Sequence, residues 1–346
     1  MLAVVAAIAV AVGLYRNWTG PRLAGVLAGI WALGAAALLV APAQGVRLTG
    51  TSLRVWLVAG GAIVLALGYV ALVRMARRRA APVVPVESAS APGKLSDVEL
   101  DRYARHIVLR EVGGPGQQAL RRARVLIVGA GGLGAPACLY LAAAGVGRIT
   151  IADDDDVSLS NLQRQVMFRD SDLGRPKTAA AAGAMLALNP HVTVVPHPHR
   201  ITEADAALVA EHDLVLDGTD NFAARAAINR ACTAAGVPLI AGAIAQWEGQ
   251  VTIYDPARDA PCLACIFPEP PALGLAPSCA EAGVVGALPG VIGSVMALEA
   301  IKLIAGAGQP LRGRMLIFDG LWGETRTMTI ARRPDCPVCG DAAHPA

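Results

Sequence analysis

Four cysteines fall into two Cys-x-x-Cys pairs, Cys262 with Cys265 and Cys336 with Cys339. Thiolates grouped in this way make a tetrahedral set for a structural Zn²⁺ ion, which would clip the end of the chain back onto its body. Two disulfides are the competing reading, and a reducing compartment disfavours them. A second cluster is built from glycine. In GAGGLG, the glycines Gly129, Gly131, Gly132 and Gly134 let backbone amides approach phosphate oxygens, and a following helix would point its positive end at them. Asp153 is the 24th residue after Gly129, an interval at which a carboxylate accepts hydrogen bonds from a ribose in dinucleotide-binding folds. Arg164 and Lys177 follow in NLQRQ and GRPK. Two fixed cations there suit transfer of part of a triphosphate, because they offset charge building on the phosphoryl oxygens. In DGTDN at 217–221, Asp220 is a carboxylate suited to holding Mg²⁺ beside phosphates.

These side chains need a scaffold that brings distant loops together, and the chain supplies alternating elements. A β-branched apolar run at 125–128 precedes the glycine turn, an Ala-rich helical stretch runs from it to Gly145, and a second strand at 148–152 ends at Asp153. Further strands are predicted at 192–196, 214–217, 238–242, 250–254 and 314–318, with helices at 176–187, 203–211, 222–235 and 290–305. The alternation predicts a Rossmann-like α/β domain, doubly wound around a mostly parallel sheet covered on both faces. Asp220 then falls at the carboxyl edge of the sheet, where ligands of such folds bind. Ser96 and Glu99 form a capping box ahead of Leu100, Tyr103, Ile107 and Val108 at helical spacing, so the body begins near residue 95.

Ahead of the body the chain changes character. Residues 1–80 hold eight Arg and no Lys, Asp or Glu, whereas 81–346 carry 22 Lys+Arg against 27 Asp+Glu. A net negative body excludes nucleic acid as its partner. Two uncharged runs of 19 residues, 23–41 and 55–73, are each long enough to cross a bilayer as a helix. A shorter run at 2–15 reads as a first crossing, a surface segment or a signal-peptide core. Arg74, Arg77, Arg78 and Arg79 follow the last run and predict a body on the cytoplasmic side. The expected organisation is therefore a transmembrane region over 1–79, a Pro- and Ala-rich linker over 80–94 and a folded domain over 95–346, in a multi-pass membrane protein.

Taken together, RYARHIVL at 102–109, GAGGLG, DVSLSNLQRQ, GRPK, DGTDN and the paired cysteines closely resemble the ThiF/MoeB/HesA family, relatives of the ubiquitin-activating enzymes. The resemblance runs from about Leu95 to Gly340 and leaves residues 1–94 uncovered. It implies ATP-dependent adenylation of the C-terminal glycine carboxylate of a ubiquitin-like sulfur carrier ending in Gly-Gly, in molybdopterin or thiamine synthesis or a related pathway. Carried over residue by residue, it places Gly132 at the phosphates and Asp153 at the ribose. Ser160, Asn161 and Arg164 meet the nucleotide, Lys177 neutralises the phosphates, and Asp220 holds Mg²⁺ with Asn221 beside it. Arg105 matches an arginine that reaches the site of a second subunit, which implies a homodimer. Cys279 matches a position where some members carry a reactive thiol. The chain ends six residues after Gly340, so sulfur is expected from a separate donor protein. Two other readings compete: an NAD-linked oxidoreductase, which leaves Arg164, Lys177, Asp220 and the cysteine pairs without a purpose, and a nucleotide-binding membrane scaffold without catalysis.

Overall fold

The computed structural model describes residues 95–269 and 283–340, together with Gly29, Gly61 and Tyr69. Apart from those three positions, the apolar runs at 2–15, 23–41 and 55–73 lie outside the described residues, as do the linker and Cys279. The chain divides into two units, Met1–Ala81 and Pro82–Ala346. All the strands described below belong to the second.

Helix α1 (Asp97–Ile107) opens on the expected capping box: the Ser96 hydroxyl accepts from the Glu99 amide, and the Glu99 carboxylate accepts from the Ser96 amide at 2.9 Å. Its buried face keeps only part of the predicted apolar stripe. Glu99 and Tyr103 point inward, whereas Leu100 and Val108 are exposed. Glu99 is tied to Arg121 at 3.4 Å, and the Tyr103 hydroxyl accepts from Asn189 at 2.8 Å, so the helix is docked by polar contacts as much as by apolar ones. Helix α2 (Gly113–Arg122) then leads into β1 (Arg124–Val128), whose last four residues are all buried.

From β1 the chain passes through α3 (Gly134–Ala144) to β2 (Arg148–Ala152), through α4 (Lys177–Leu188) to β3 (Thr193–His197), and through the short α5 (Ala206–Ala210) to β4 (Leu214–Asp217). Helix α6 (Phe222–Ala235) connects β4 to β5 (Leu239–Ala245), which turns into β6 (Glu248–Tyr254). The short α7 (Leu263–Ile266), the long α8 (Leu288–Ala305), and a final pair, β7 (Arg314–Asp319) and β8 (Glu324–Thr329), complete the body. The strands form one sheet in the order β3-β2-β1-β4-β5-β6-β7-β8. The first five strands are parallel, and β5 to β8 are joined by antiparallel ladders. A mixed sheet thus replaces the mostly parallel one expected.

Apolar side chains cover both faces of the central strands. On one face Val125, Ile127, Ile149 and Ile151 pack with α3, α4 and α8. On the other, Leu126, Val128, Val215 and Leu239 pack with Ile228 and Cys232 of α6. Helix α8 is long and apolar enough to cross a membrane, yet Leu288, Ile292, Met296 and Ala300 are buried in this core. Its contact with α3 is close: a Cβ on Gly293 would fall 2.2 Å from the Leu133 carbonyl oxygen.

Candidate functional site

Strand β1 passes to β2 on one side, and β4, its neighbour on the other, passes to β5. Connections diverging from adjacent parallel strands open a crevice at their carboxyl ends, the usual ligand position in such sheets. Two of the predicted motifs leave from these ends and meet backbone to backbone. Gly129 has φ +90°, which favours glycine, and a Cβ there would lie 3.1 Å from the Gly218 carbonyl carbon. A Cβ on Gly134, where α3 starts, would lie 1.8 Å from the Gly129 carbonyl oxygen. Gly132 is closed over by Pro289 of α8, at 2.9 Å from the Cβ position, and by Arg164 Cγ at 3.7 Å. Among the described residues a Cβ on Gly131 would meet only Gln165 Nε2, at 3.7 Å. Gly134→Ala should therefore force the turn apart and cost about 3 kcal/mol of stability. Thermal melts check this, and an unchanged melting temperature would show that the turn yields without cost.

Asp153 sits against the turn. Its carboxylate accepts from the Ala130 amide at 2.7 Å and from the Asp155 amide at 2.8 Å. Burial raises the Asp153 carboxyl above its ordinary value, while Lys177 and the two amides pull the other way. Lys177 is itself buried, with Nζ 2.7 Å from Asp155 and 4.0 Å from Asp153. Successive acids in this loop repel unless cations offset them. Lys177 offsets Asp153 and Asp155, and Arg200 offsets Asp154 at 3.3 Å. Arg164 leaves a separate loop, where Nη2 donates to Asn161 Oδ1 at 2.8 Å and Nη1 to the Ser160 carbonyl at 3.3 Å. Ser160, Asn161, Arg164, Asp153 and Lys177 thus stand around one glycine turn. Two buried polar atoms next to these cations in sequence, Gln165 Oε1 and Thr178 Oγ1, have no hydrogen-bond partner among the described residues.

On the facing loop Asp217 is buried and accepts from the Thr219 amide and hydroxyl, at 2.9 and 2.7 Å, folding the turn that leaves Asp220 exposed. Asn221, expected beside the nucleotide, caps α6: its Oδ1 accepts from the Ala224 amide at 2.8 Å. Arg225, one turn into α6, donates to the carbonyls of Thr219 and Gly242, the latter at 2.7 Å, and so ties the loop to β5. Arg105 is exposed on α1.

The structure adds residues that spacing and type do not single out. Asp155 is indistinguishable in sequence from its acidic neighbours, since only the fold shows which of them meets Lys177. Arg225 has a sequence signal, four residues after Asn221 and so on the adjoining helical turn.

The second centre lies where α7 meets the end of the body. Cys262, Cys265, Cys336 and Cys339 are buried, with all four Sγ atoms within 4.8 Å of one another. The closest pairs, Cys262 with Cys336 and Cys265 with Cys339, are 3.5 Å apart. A tetrahedron of Zn–S bonds spaces its sulfurs by about 3.8 Å, so the set fits Zn²⁺. The Arg333 amide donates to Cys265 Sγ at 3.4 Å, as hydrogen-bond donors around thiolate ligands do. Histidines add nothing comparable. His197 and His199 stack edge to face at 5.4 Å, and neither joins a group of three potential ligands among the described residues.

Residues 103–338 match the model described as the ThiF family. A sulfur carrier protein adenylyltransferase from Thermus thermophilus is 48% identical over 248 residues, covering 70% of this chain and 92% of that protein. A molybdopterin-synthase adenylyltransferase from Escherichia coli is 48% identical over 251 residues, or 71% of this chain and 99% of that one. Among solved structures, E. coli MccB with AMPCPP and MccA superposes with a TM-score of 0.62 at 25% identity, covering 69% of this chain and 74% of that one.

Proposed function

The chain belongs to the ThiF family, and from that premise we propose that it adenylates the C-terminal glycine carboxylate of a ubiquitin-like sulfur carrier, using ATP and releasing pyrophosphate. The observation that carries the reading is convergence. Arg164 comes from the loop after β2 and Lys177 from the first position of α4, one lying over Gly132 and the other against the Asp153 that accepts from the Ala130 amide. Each would be a solvated surface charge in an unrelated fold. Here they surround the glycine turn.

In the reaction a carboxylate oxygen of the carrier attacks the α-phosphorus of ATP, and the bond to the bridging oxygen of the β-phosphate breaks. The products are an acyl-adenylate and pyrophosphate. The nucleophile is already an anion at neutral pH, so no general base is needed, and catalysis reduces to alignment and charge neutralisation. Amides of the glycine turn and the start of α3 receive phosphate oxygens. Asp153 accepts from the ribose. Arg164 and Lys177 hold the phosphates while charge moves onto the leaving group. Mg²⁺ held by Asp220 would supply further neutralisation at the same oxygens.

Beyond this core, residues 1–79 tether the enzyme to a membrane with its body in the cytoplasm, Arg105 serves the site of a second copy in a homodimer, and the four cysteines hold Zn²⁺. Cys279 is the position for a thiol that takes the activated acyl group or sulfur, with the sulfur brought by a separate donor. Exchange of labelled pyrophosphate into ATP should require both this chain and a carrier ending in Gly-Gly. Nicotinamide reduction without exchange would favour the oxidoreductase, and ATP binding without any carrier adenylate would favour the scaffold.

A further inference from the structure

The nucleotide crevice uses the carboxyl ends of the parallel strands. Their amino ends carry a cleft of about 420 Å³ that no step of the reaction occupies. Arg124 and Leu214, the first residues of β1 and β4, line it, as does Pro238 just before β5. Five residues of β1 separate it from the glycine turn, a distance of about 17 Å.

Four arginines from four places in the chain face this cleft: Arg122 at the end of α2, Arg124, Arg258 after β6, and Arg312 before β7. Among the described residues two carboxylates form ion pairs with them, and Glu211 adds negative charge near Arg124. Asp213 pairs with Arg124 at 3.0 Å. Asp255, fully buried, takes both Arg258 at 3.2 Å and Arg312 at 2.7 Å. That triad fastens the end of β6 to the segment before β7 and is a structural contact in its own right. Arg122 makes no ion pair or hydrogen bond among the described residues. Ion pairing therefore leaves this concave site arginine-rich, with Arg122 unpaired among the described residues, and planar guanidinium groups there favour a tetrahedral oxyanion. Leu214, Pro238, Leu303 and Ile304 give the cleft an apolar wall as well.

The same edge is where the body begins. Glu99, in the first turn of α1, is tied to Arg121, the residue before Arg122. The first helix of the body is thus fastened to α2, whose last residue lines the cleft.

We propose that this cleft binds a phosphate group, presented by an acidic lipid or by a free phosphate compound. The lipid source rests on residues 1–79 being a membrane region; the free source does not. The test uses the full chain, reconstituted in nanodiscs of phosphatidylcholine alone or with roughly a third phosphatidylglycerol, and read by amide hydrogen exchange over 119–124 and 303–312. Acidic discs are expected to slow exchange there roughly tenfold, and Arg122→Glu, at an exposed position, is expected to abolish that protection. Inorganic phosphate, added to the chain in phosphatidylcholine discs or in detergent, forms the second arm. Protection by phosphate but not by acidic discs, lost in Arg122→Glu, supports the site with a soluble ligand. Protection in neither arm, or protection that survives Arg122→Glu, overturns it. A chain that fails to enter discs counts against the membrane region alone, and the phosphate arm in detergent then decides the site.

Discussion

Asp220→Ala should lower carrier-dependent pyrophosphate exchange by at least about a hundredfold, the scale set by removing one charge-stabilising group from a preorganised site, while leaving the fold in place. Both halves of the expectation come from where the residue stands. Its side chain is exposed, so truncation opens no cavity and orphans no buried partner. The loop beneath it is held by other groups: Asp217 on Thr219, Arg225 across the carbonyls of Thr219 and Gly242, and Asn221 capping α6. None of these contacts uses Asp220. A melting temperature within a few degrees of wild type is the control, since exposed substitutions cost less than about 0.5 kcal/mol. Asp220→Asn separates charge from shape: it should be nearly as inactive as Ala, because an amide is a poor Mg²⁺ ligand in place of a carboxylate. Exchange at a near-normal rate in either variant would remove Asp220 from the reaction.

How much of this was legible in the sequence depends on which forces shaped each part. The strands flanking the crevice were readable because they are buried on both sides and bounded by glycine or acid, as with 214–217, found as predicted at Leu214–Asp217. Helix 222–235 was equally clear and is found at Phe222–Ala235, with Gly236 closing it in a left-handed conformation. Edge strand β8 was not. Its residues, ETRTMT, are exposed throughout, so no alternation of apolar and polar side chains marks it; the ladder to β7 alone makes it a strand. Helix α2 was hidden for the opposite reason. GGPGQQALRR begins like a turn, and tertiary packing overrides it, with Gly116 pressed so near α8 that a Cβ would sit 3.2 Å from Ala305 Cβ. The expected helix over 203–211 splits into a turn of 3₁₀-helix at Glu203–Asp205 and the short α5. In the site, residue types announced the cradle and the cations. Which acid meets Lys177, and that Asn221 caps a helix, depended on loop geometry that spacing does not encode.

The cysteine centre yields the other large effect, on stability. Cys336→Ser should release the metal and lower the melting temperature by roughly 10 °C, as expected for a few kcal/mol in a domain of this size. Burial opposes ionisation of the Cys336 thiol, but the amides of Cys339 and Val338, with the Cys262 and Cys265 thiols, hold it down to about 7, while burial pushes the neighbouring Cys262 and Cys339 up. Cys336 is therefore ready to bind as a thiolate, and a serine hydroxyl there is not. The loss would spread. Residues 331–340 lie outside the sheet, and the four sulfurs join them to α7, which is fixed to α6 by the Leu263 amide donating to Asn229 Oδ1 at 2.9 Å. Without the metal, that segment has lost its clip and α7 has lost its cover. Chelation should lower the wild-type melting temperature by a similar amount and leave Cys336→Ser unmoved, whereas a thiol reductant without chelating power should change neither. Metal analysis is the direct check: about one zinc per wild-type chain and much less in the variant. Equal metal content in the two proteins, or a wild-type transition that responds to reductant and ignores chelator, would replace the zinc clip with a disulfide one.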